Sequence, residues 1–164
     1  YMDCVRAVDF LFSRPEVDKK RVGVEGGSQG GALTFATAAL NNDRIAVGVA
    51  QFPFLSDFED YFKVAPWPAN EFAEWVEKDE NRSWEEVFYT LSYVDIKNLA
   101  PLIKAPLLMG VGLEDNVCPP HINFAAYNQV SAPKAYIAYP TSGHSLPESF
   151  HEKKMAFLRK HFGL

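Results

Sequence analysis

Residues 21–33, Arg-Val-Gly-Val-Glu-Gly-Gly-Ser-Gln-Gly-Gly-Ala-Leu, constrain this chain more than any other stretch. Val22 and Val24 alternate as in a short strand, and Gly31 to Leu40 is a helix-forming run. Between them Gly26-Gly27-Ser28-Gln29-Gly30 fits the pattern G-x-S-x-G, and strand, glycine-flanked serine, helix is the context of a nucleophile elbow. The expected turn is so tight that side chains at Gly26 or Gly30 would collide with neighbouring backbone, and it lifts the Ser28 hydroxyl above the sheet edge. It also aims the backbone amide of Gln29, at the start of the helix, where an oxyanion would form. A plain glycine-rich turn with an incidental serine is the competing reading. The strand before, the helix after and the further glycines favour the nucleophile.

The rest of the chain alternates strand and helix. Tyr1–Ser13 has helical spacing and ends at Arg14-Pro15. Arg44–Ala50, Pro106–Gly112 and Lys134–Tyr139 read as further strands, the first two nearly all apolar, as in parallel strands buried on both faces. Helices are expected at Asp95–Ile103, His121–Val130 and Pro147–Phe162. The fold class is therefore α/β with parallel strands, whose ligands sit at the carboxyl ends of the strands. Residues 57–95 differ in character: Trp67, Trp75, Trp84, Tyr61, Tyr89 and Tyr93 fall there, with Pro66 and Pro68 interrupting. Two helices are expected, Asn70–Lys78 and Ser83–Leu91, the second opened by the capping box Ser83-Trp84-Glu85-Glu86. They form a helical insertion or lid, with the aromatics expected mainly as core.

At 164 residues and 48% hydrophobic content, the chain suffices for one domain with a real core. Its start inside a helix, with no tail ahead, is what a fragment of a longer fold would show. A net charge of −5 disfavours nucleic acid and anionic membrane as partners. Cys4 and Cys118 make no disulfide framework and read as free buried thiols, which fits a reducing compartment such as the cytoplasm. Neither cysteines nor histidines have metal-ligand spacing, so no metal and no cofactor is expected.

Ser28 follows the first strand, Asp115 the third and His144 the fourth. Serine, then aspartate, then histidine, each at a strand's carboxyl end, is the order of α/β-hydrolases. A serine hydroxyl is a poor nucleophile at neutral pH, so His144 must take its proton, and Asp115 must hold the imidazole in the right tautomer. His121, His151 and His161 compete with His144 but fall in helices, and Glu114 competes with Asp115.

Gly26-Gly27-Ser28-Gln29-Gly30-Gly31, Phe52-Pro53-Phe54-Leu55, Gly110-Val111-Gly112-Leu113-Glu114-Asp115 with Pro119-Pro120, and Phe124-Ala125-Ala126-Tyr127-Asn128 together resemble the acetyl xylan esterase and cephalosporin C deacetylase family. The resemblance runs the whole chain and matches the family's C-terminal half. It implies an α/β-hydrolase fold, deacetylation of small O-acetylated carbohydrates by Ser28, Asp115 and His144, and a homo-oligomer. It also implies an N-terminal half, supplying the first strands, an Arg-Gly-Gln motif and a second oxyanion amide beside that of Gln29. Without that half, or a second chain, the elbow strand would have an open edge. Ser145 stands where the family has a glutamate after the catalytic histidine. The alternatives are a dienelactone-hydrolase-like or prolyl-oligopeptidase-like enzyme, or an inactive piece that needs the other half.

Overall fold

The computed structural model describes residues 1–164. Its centre is a sheet of β1 (Gly23–Gly27), β2 (Val47–Gln51), β3 (Leu107–Gly112) and β4 (Lys134–Tyr139), in that spatial order. All three pairings are parallel, with Val24 beside Gly48, Val49 beside Leu108 and Gly112 beside Tyr139. Parallel neighbours need crossovers, and helices supply them. The crossover α2 (Gln29–Leu40) links β1 to β2, and α7 (Pro120–Gln129) links β3 to β4. Between β2 and β3 run α3 (Phe58–Val64), α4 (Pro66–Glu77), α5 (Trp84–Ser92), α6 (Ile96–Leu99) and a 3-10 turn, Ala100–Leu102. At the two ends of the chain lie α1 (Met2–Ser13) and α8 (Glu148–Phe162).

Helices cover both faces of the sheet. One core gathers Phe35 and Ala38 of α2, Ile96 of α6, Ala126 of α7, and Ala50 and Leu107 of the sheet. The other holds Val49, Leu108 and Phe150, with Ile137 and Phe157 packed against them. Leu107 and Leu108, adjacent in sequence, go to opposite cores because successive side chains of a strand point to opposite faces. This is the expected α/β class, with the uninterrupted apolar runs in the two inner strands. No helix is long and apolar enough to cross a membrane.

Residues 57–95 differ from expectation. A third helix, α3, precedes the two expected ones; its seven residues are too few to show a clear period in sequence. The next helix, α4, opens at Pro66, and Trp67 keeps extended angles (φ −104°, ψ 134°) because a residue before proline is pushed out of the helical region. The expected 95–103 helix divides into α6 and the 3-10 turn, where Pro101 lacks an N–H to continue the ladder. Of the six aromatics expected mainly as core, Tyr61 is buried, whereas the three tryptophans, Tyr89 and Tyr93 stay substantially exposed. The reason is that α3 to α5 pack on one another around Phe62, whose ring centroid lies 5.4–6.2 Å from those of Phe58, Tyr61, Phe72, Trp84 and Phe88. Cys118 is buried as expected; Cys4 is partly exposed.

The outer edge of β1 has no strand beside it. An apolar cleft of about 290 Å³ lies there, lined among others by Val8, Leu11, Val22, Val24 and Leu33.

Candidate active site

Ser28 sits between β1 and α2 with φ 57° and ψ −121°, in the positive-φ region that side chains avoid. The other non-glycine residues at positive φ are Phe52, Leu55 and Asp57, all in the loop after β2. That loop clamps the elbow: the Ser28 amide donates to the Gln51 carbonyl (3.0 Å), and the Phe54 amide donates to the Ser28 carbonyl (3.1 Å). Such strain persists only where the surroundings over-determine it.

The glycines divide the steric work differently from the expectation. A Cβ on Gly26 would lie 2.5 Å from the Gly30 carbonyl carbon and oxygen, and one on Gly31 would lie 2.7 Å from the Gln51 carbonyl oxygen. A Cβ on Gly30 would meet nothing within 4 Å. Tightness is thus required at Gly26 and Gly31, and not at Gly30, because Gly30 faces the open cleft beside β1. Gln29 begins α2, so its N–H has no carbonyl four residues back and is free for an anion.

Asp115 lies three residues past β3 and is buried. Its Oδ1 accepts from the amides of Val117 (2.8 Å) and Cys118 (2.9 Å), which leaves Oδ2 for the Nδ1 of His144 at 2.8 Å. His144 Nε2 in turn lies 3.0 Å from Ser28 Oγ. A carboxylate can only accept, so Nδ1 carries the proton and Nε2 presents its lone pair to the serine hydroxyl. The three residues singled out in the sequence therefore form one hydrogen-bonded line. Their competitors do not join it: Glu114 is exposed, His121 lies on α7, and His151 and His161 lie on α8.

Backbone contacts set the spacing between the Asp115 and His144 loops. The Leu113 amide donates to the Tyr139 carbonyl (3.0 Å) and the Glu114 amide to the Ser142 carbonyl (2.9 Å). Any Cβ on Gly112 would overlap the carbonyls of Ser142 and Gly143. Beside Ser28 opens a cleft of about 200 Å³, lined by Ser28, Gln29, Phe54, Tyr61, Trp67, Val117 and Cys118.

The family model described as acetyl xylan esterase matches residues 1–161. The chain belongs to the acetyl xylan esterase family. The acetyl esterase Axe7A of Xylanibacter ruminicola is 36% identical over 162 residues, which are 98% of this chain and 35% of that protein. Acetyl xylan esterase 1 from Thermoanaerobacterium sp. JW/SL YS485 superposes with a TM-score of 0.89 at 39% identity, over 98% of this chain and 51% of the other. The acetyl xylan esterase from Paenibacillus sp. R4 gives a TM-score of 0.88 at 41% identity, over 96% and 51%. The chain thus spans between a third and a half of these relatives. A puromycin hydrolase at 23% identity, with a TM-score of 0.78, shares the fold.

Several residues of this esterase-family site had no role in the sequence reading. Cys118 Sγ lies 3.9 Å from Ser28 Oγ, and burial pushes its thiol up to about 12, so it stays protonated at neutral pH and faces the Ser28 hydroxyl as a weak donor. The Phe52 ring packs against the His144 imidazole, with centroids 4.6 Å apart at 50°. Tyr61 reaches the site from α3, and its hydroxyl donates to the Val117 carbonyl (3.1 Å). The sequence signal for Cys118 was its place three residues after Asp115; Phe52 stood in the Phe52-Pro53-Phe54-Leu55 motif, and Tyr61 and Trp67 in the segment read as an insertion or lid, but none of the three was assigned to the site. Ser145, directly after His144, is exposed.

Proposed function

We propose that this chain carries the catalytic machinery of a serine esterase that removes acetyl groups from small O-acetylated carbohydrates. The observation that carries the reading is the Ser28–His144–Asp115 line, with bonds of 3.0 and 2.8 Å, in a member of the acetyl xylan esterase family. Ser28 Oγ attacks the ester carbonyl carbon while His144 Nε2 takes the hydroxyl proton. Asp115 holds the resulting imidazolium. The carbonyl oxygen becomes an oxyanion that accepts from the Gln29 amide. Collapse breaks the bond to the sugar oxygen, which leaves with the proton from His144, and the acetyl group stays on Ser28. Water, deprotonated by His144, then attacks the acetyl-serine and releases acetate.

The narrow cleft supports a short acyl group. Its volume is only about 200 Å³, and the buried Tyr61 and Cys118 are among the residues that line it. The open edge of β1 and its apolar cleft support a further proposal: strands from outside these residues, in the same protein or a second chain, complete the sheet and bring a second oxyanion donor. We also propose a homo-oligomer for the whole protein.

The test is Ser28→Ala in the intact natural protein, assayed on an acetylated xyloside. Turnover should fall about 10⁴- to 10⁶-fold. A variant that keeps most of its turnover removes Ser28 as the nucleophile. Octanoyl esters cleaved faster than acetyl esters would remove the acetyl preference.

A further inference from the structure

Trp67 is the only one of the three tryptophans to line the Ser28 cleft, and it is 60% exposed there. The other two are engaged elsewhere: Arg82 lies 4.3 Å over Trp75, and Trp84 stacks on Phe88 with centroids 5.5 Å apart. What sets Trp67 apart is its place with Phe54 and Tyr61 in the lining of the Ser28 cleft, since ligand sites are concave and lined mainly by apolar and aromatic side chains.

Its orientation is fixed from two sides. The Trp67 Nε1–H donates to Glu71 Oε1 (3.0 Å), so the polar edge of the indole is already satisfied. One face lies near-parallel to Phe54, at 26° and 6.2 Å between centroids. Phe54 in turn meets the buried Tyr61 edge-on at 5.2 Å. An aromatic column therefore runs from the buried end of the cleft to its rim, ending in an indole whose remaining exposed surface is apolar. What reaches that rim is decided by the chemistry at Ser28. In the esterase reading, the acetyl group would take the end lined by the buried Cys118 and Tyr61, and the alcohol half of the ester would project outward.

We propose that Trp67 is the stacking platform for the pyranose ring of the acetylated sugar, with Glu71 holding the indole in place. This rests on the esterase reading above. A pyranose is polar around its rim, but its axial C–H bonds give it an apolar face, and those hydrogens are slightly positive. They meet the negative face of an indole favourably, as the ring quadrupole dictates. The stack fixes the ring's plane and leaves its hydroxyls in water, so the platform selects cyclic sugar esters over acyclic esters of the same acid.

The experiment compares two acetyl esters that differ only in the alcohol, methyl 2-O-acetyl-β-xylopyranoside and ethyl acetate, by pH-stat in the intact natural protein. Trp67→Leu keeps apolar bulk and removes the aromatic face; Trp67→Phe keeps a smaller one. The ratio of kcat/KM for the xyloside to that for ethyl acetate should fall about tenfold in the Leu variant, through KM, and largely recover in the Phe variant. An unchanged ratio, whether both rates fall or neither does, overturns the platform. So does a changed preference between ethyl acetate and ethyl butyrate at constant sugar ratio, which would make Trp67 an acyl wall.

A second readout needs no turnover. In a Ser28→Ala background, methyl β-xylopyranoside should show saturation transfer to its ring protons by NMR, and adding Trp67→Leu should abolish it. Equal transfer in both proteins overturns the proposal. If the wild type cleaves neither ester, the esterase reading falls, and this binding measurement still decides the platform.

Discussion

Asp115→Asn tests the logic of the site more sharply than removal of the side chain, because the structure dictates how the asparagine must sit. Asp115 Oδ1 accepts from two backbone amides, those of Val117 and Cys118. An asparagine that kept its carbonyl oxygen there would satisfy both. Turning its NH₂ toward them instead would leave two buried N–H groups unpaired, at about 1–3 kcal/mol each. The carbonyl therefore stays, and the amide NH₂ faces His144 Nδ1. A donor now confronts Nδ1, so the imidazole must accept there and carry its proton on Nε2. That proton points at Ser28 Oγ, and no lone pair remains to take the serine proton. The expected loss in kcat is about 10⁴-fold, or ~5.4 kcal/mol of barrier, while the two backbone bonds keep the loop folded. Steady-state kinetics on an acetyl ester gives the loss, and ¹⁵N NMR of the His144 ring gives the tautomer. A variant within tenfold of wild-type kcat, or one whose Nδ1 remains protonated, would refute the reasoning.

Three further outcomes follow from other residues. Gly26→Ala should lower stability by about 1–3 kcal/mol, since its Cβ meets Gly30 backbone, whereas Gly30→Ala should be neutral or stabilising by up to about 1 kcal/mol; urea unfolding of both variants checks the contrast. Burial raises the Asp95 carboxyl above its usual value, against the bonds it accepts from the Lys97 and Phe58 amides. The folded state therefore holds this proton more tightly than the unfolded chain, and stability from this group is lost as pH rises from the ordinary carboxylate range through the raised value; the stability difference between wild type and Asp95→Asn should track that window, and a pH-independent difference would count against it. Cys118, buried and held up at about 12, should resist iodoacetamide at pH ~8 in the native protein while Cys4 is alkylated, as peptide mass spectrometry would reveal; labelling of Cys118 at the rate of Cys4 would contradict its burial.

Much of the site was legible in the sequence because its chemistry is tied to strand ends. Ser28, Asp115 and His144 each follow an apolar or alternating run, and their order along the chain needed no knowledge of packing. Leu107 to Gly112 announced a buried strand by composition alone. What escaped was whatever depends on elements meeting in space. The short helix α3 takes its stability from rings around Phe62, which come from three different helices. Phe52 reads as a loop aromatic until the fold sets it against His144. Gly30 satisfied the motif in the linear pattern, yet only the course of the backbone reveals that Gly26 and Gly31 bear the crowding.

The joining of the Asp115 and His144 loops has a consequence for how this site can vary. Their separation is set by main-chain bonds, Leu113 to Tyr139 and Glu114 to Ser142, and by the lack of a side chain on Gly112. None of these contacts reads the identity of Glu114, Ser142 or Ser145. The loops can therefore change their solvent-facing side chains without moving the imidazole. They cannot change length. One residue added between Gly112 and Asp115, or between Tyr139 and His144, would shift the acid–histidine pair out of register by a full backbone step, ~3.8 Å, beyond the reach of any rotamer. Diversity at this site is open to substitution and closed to insertion.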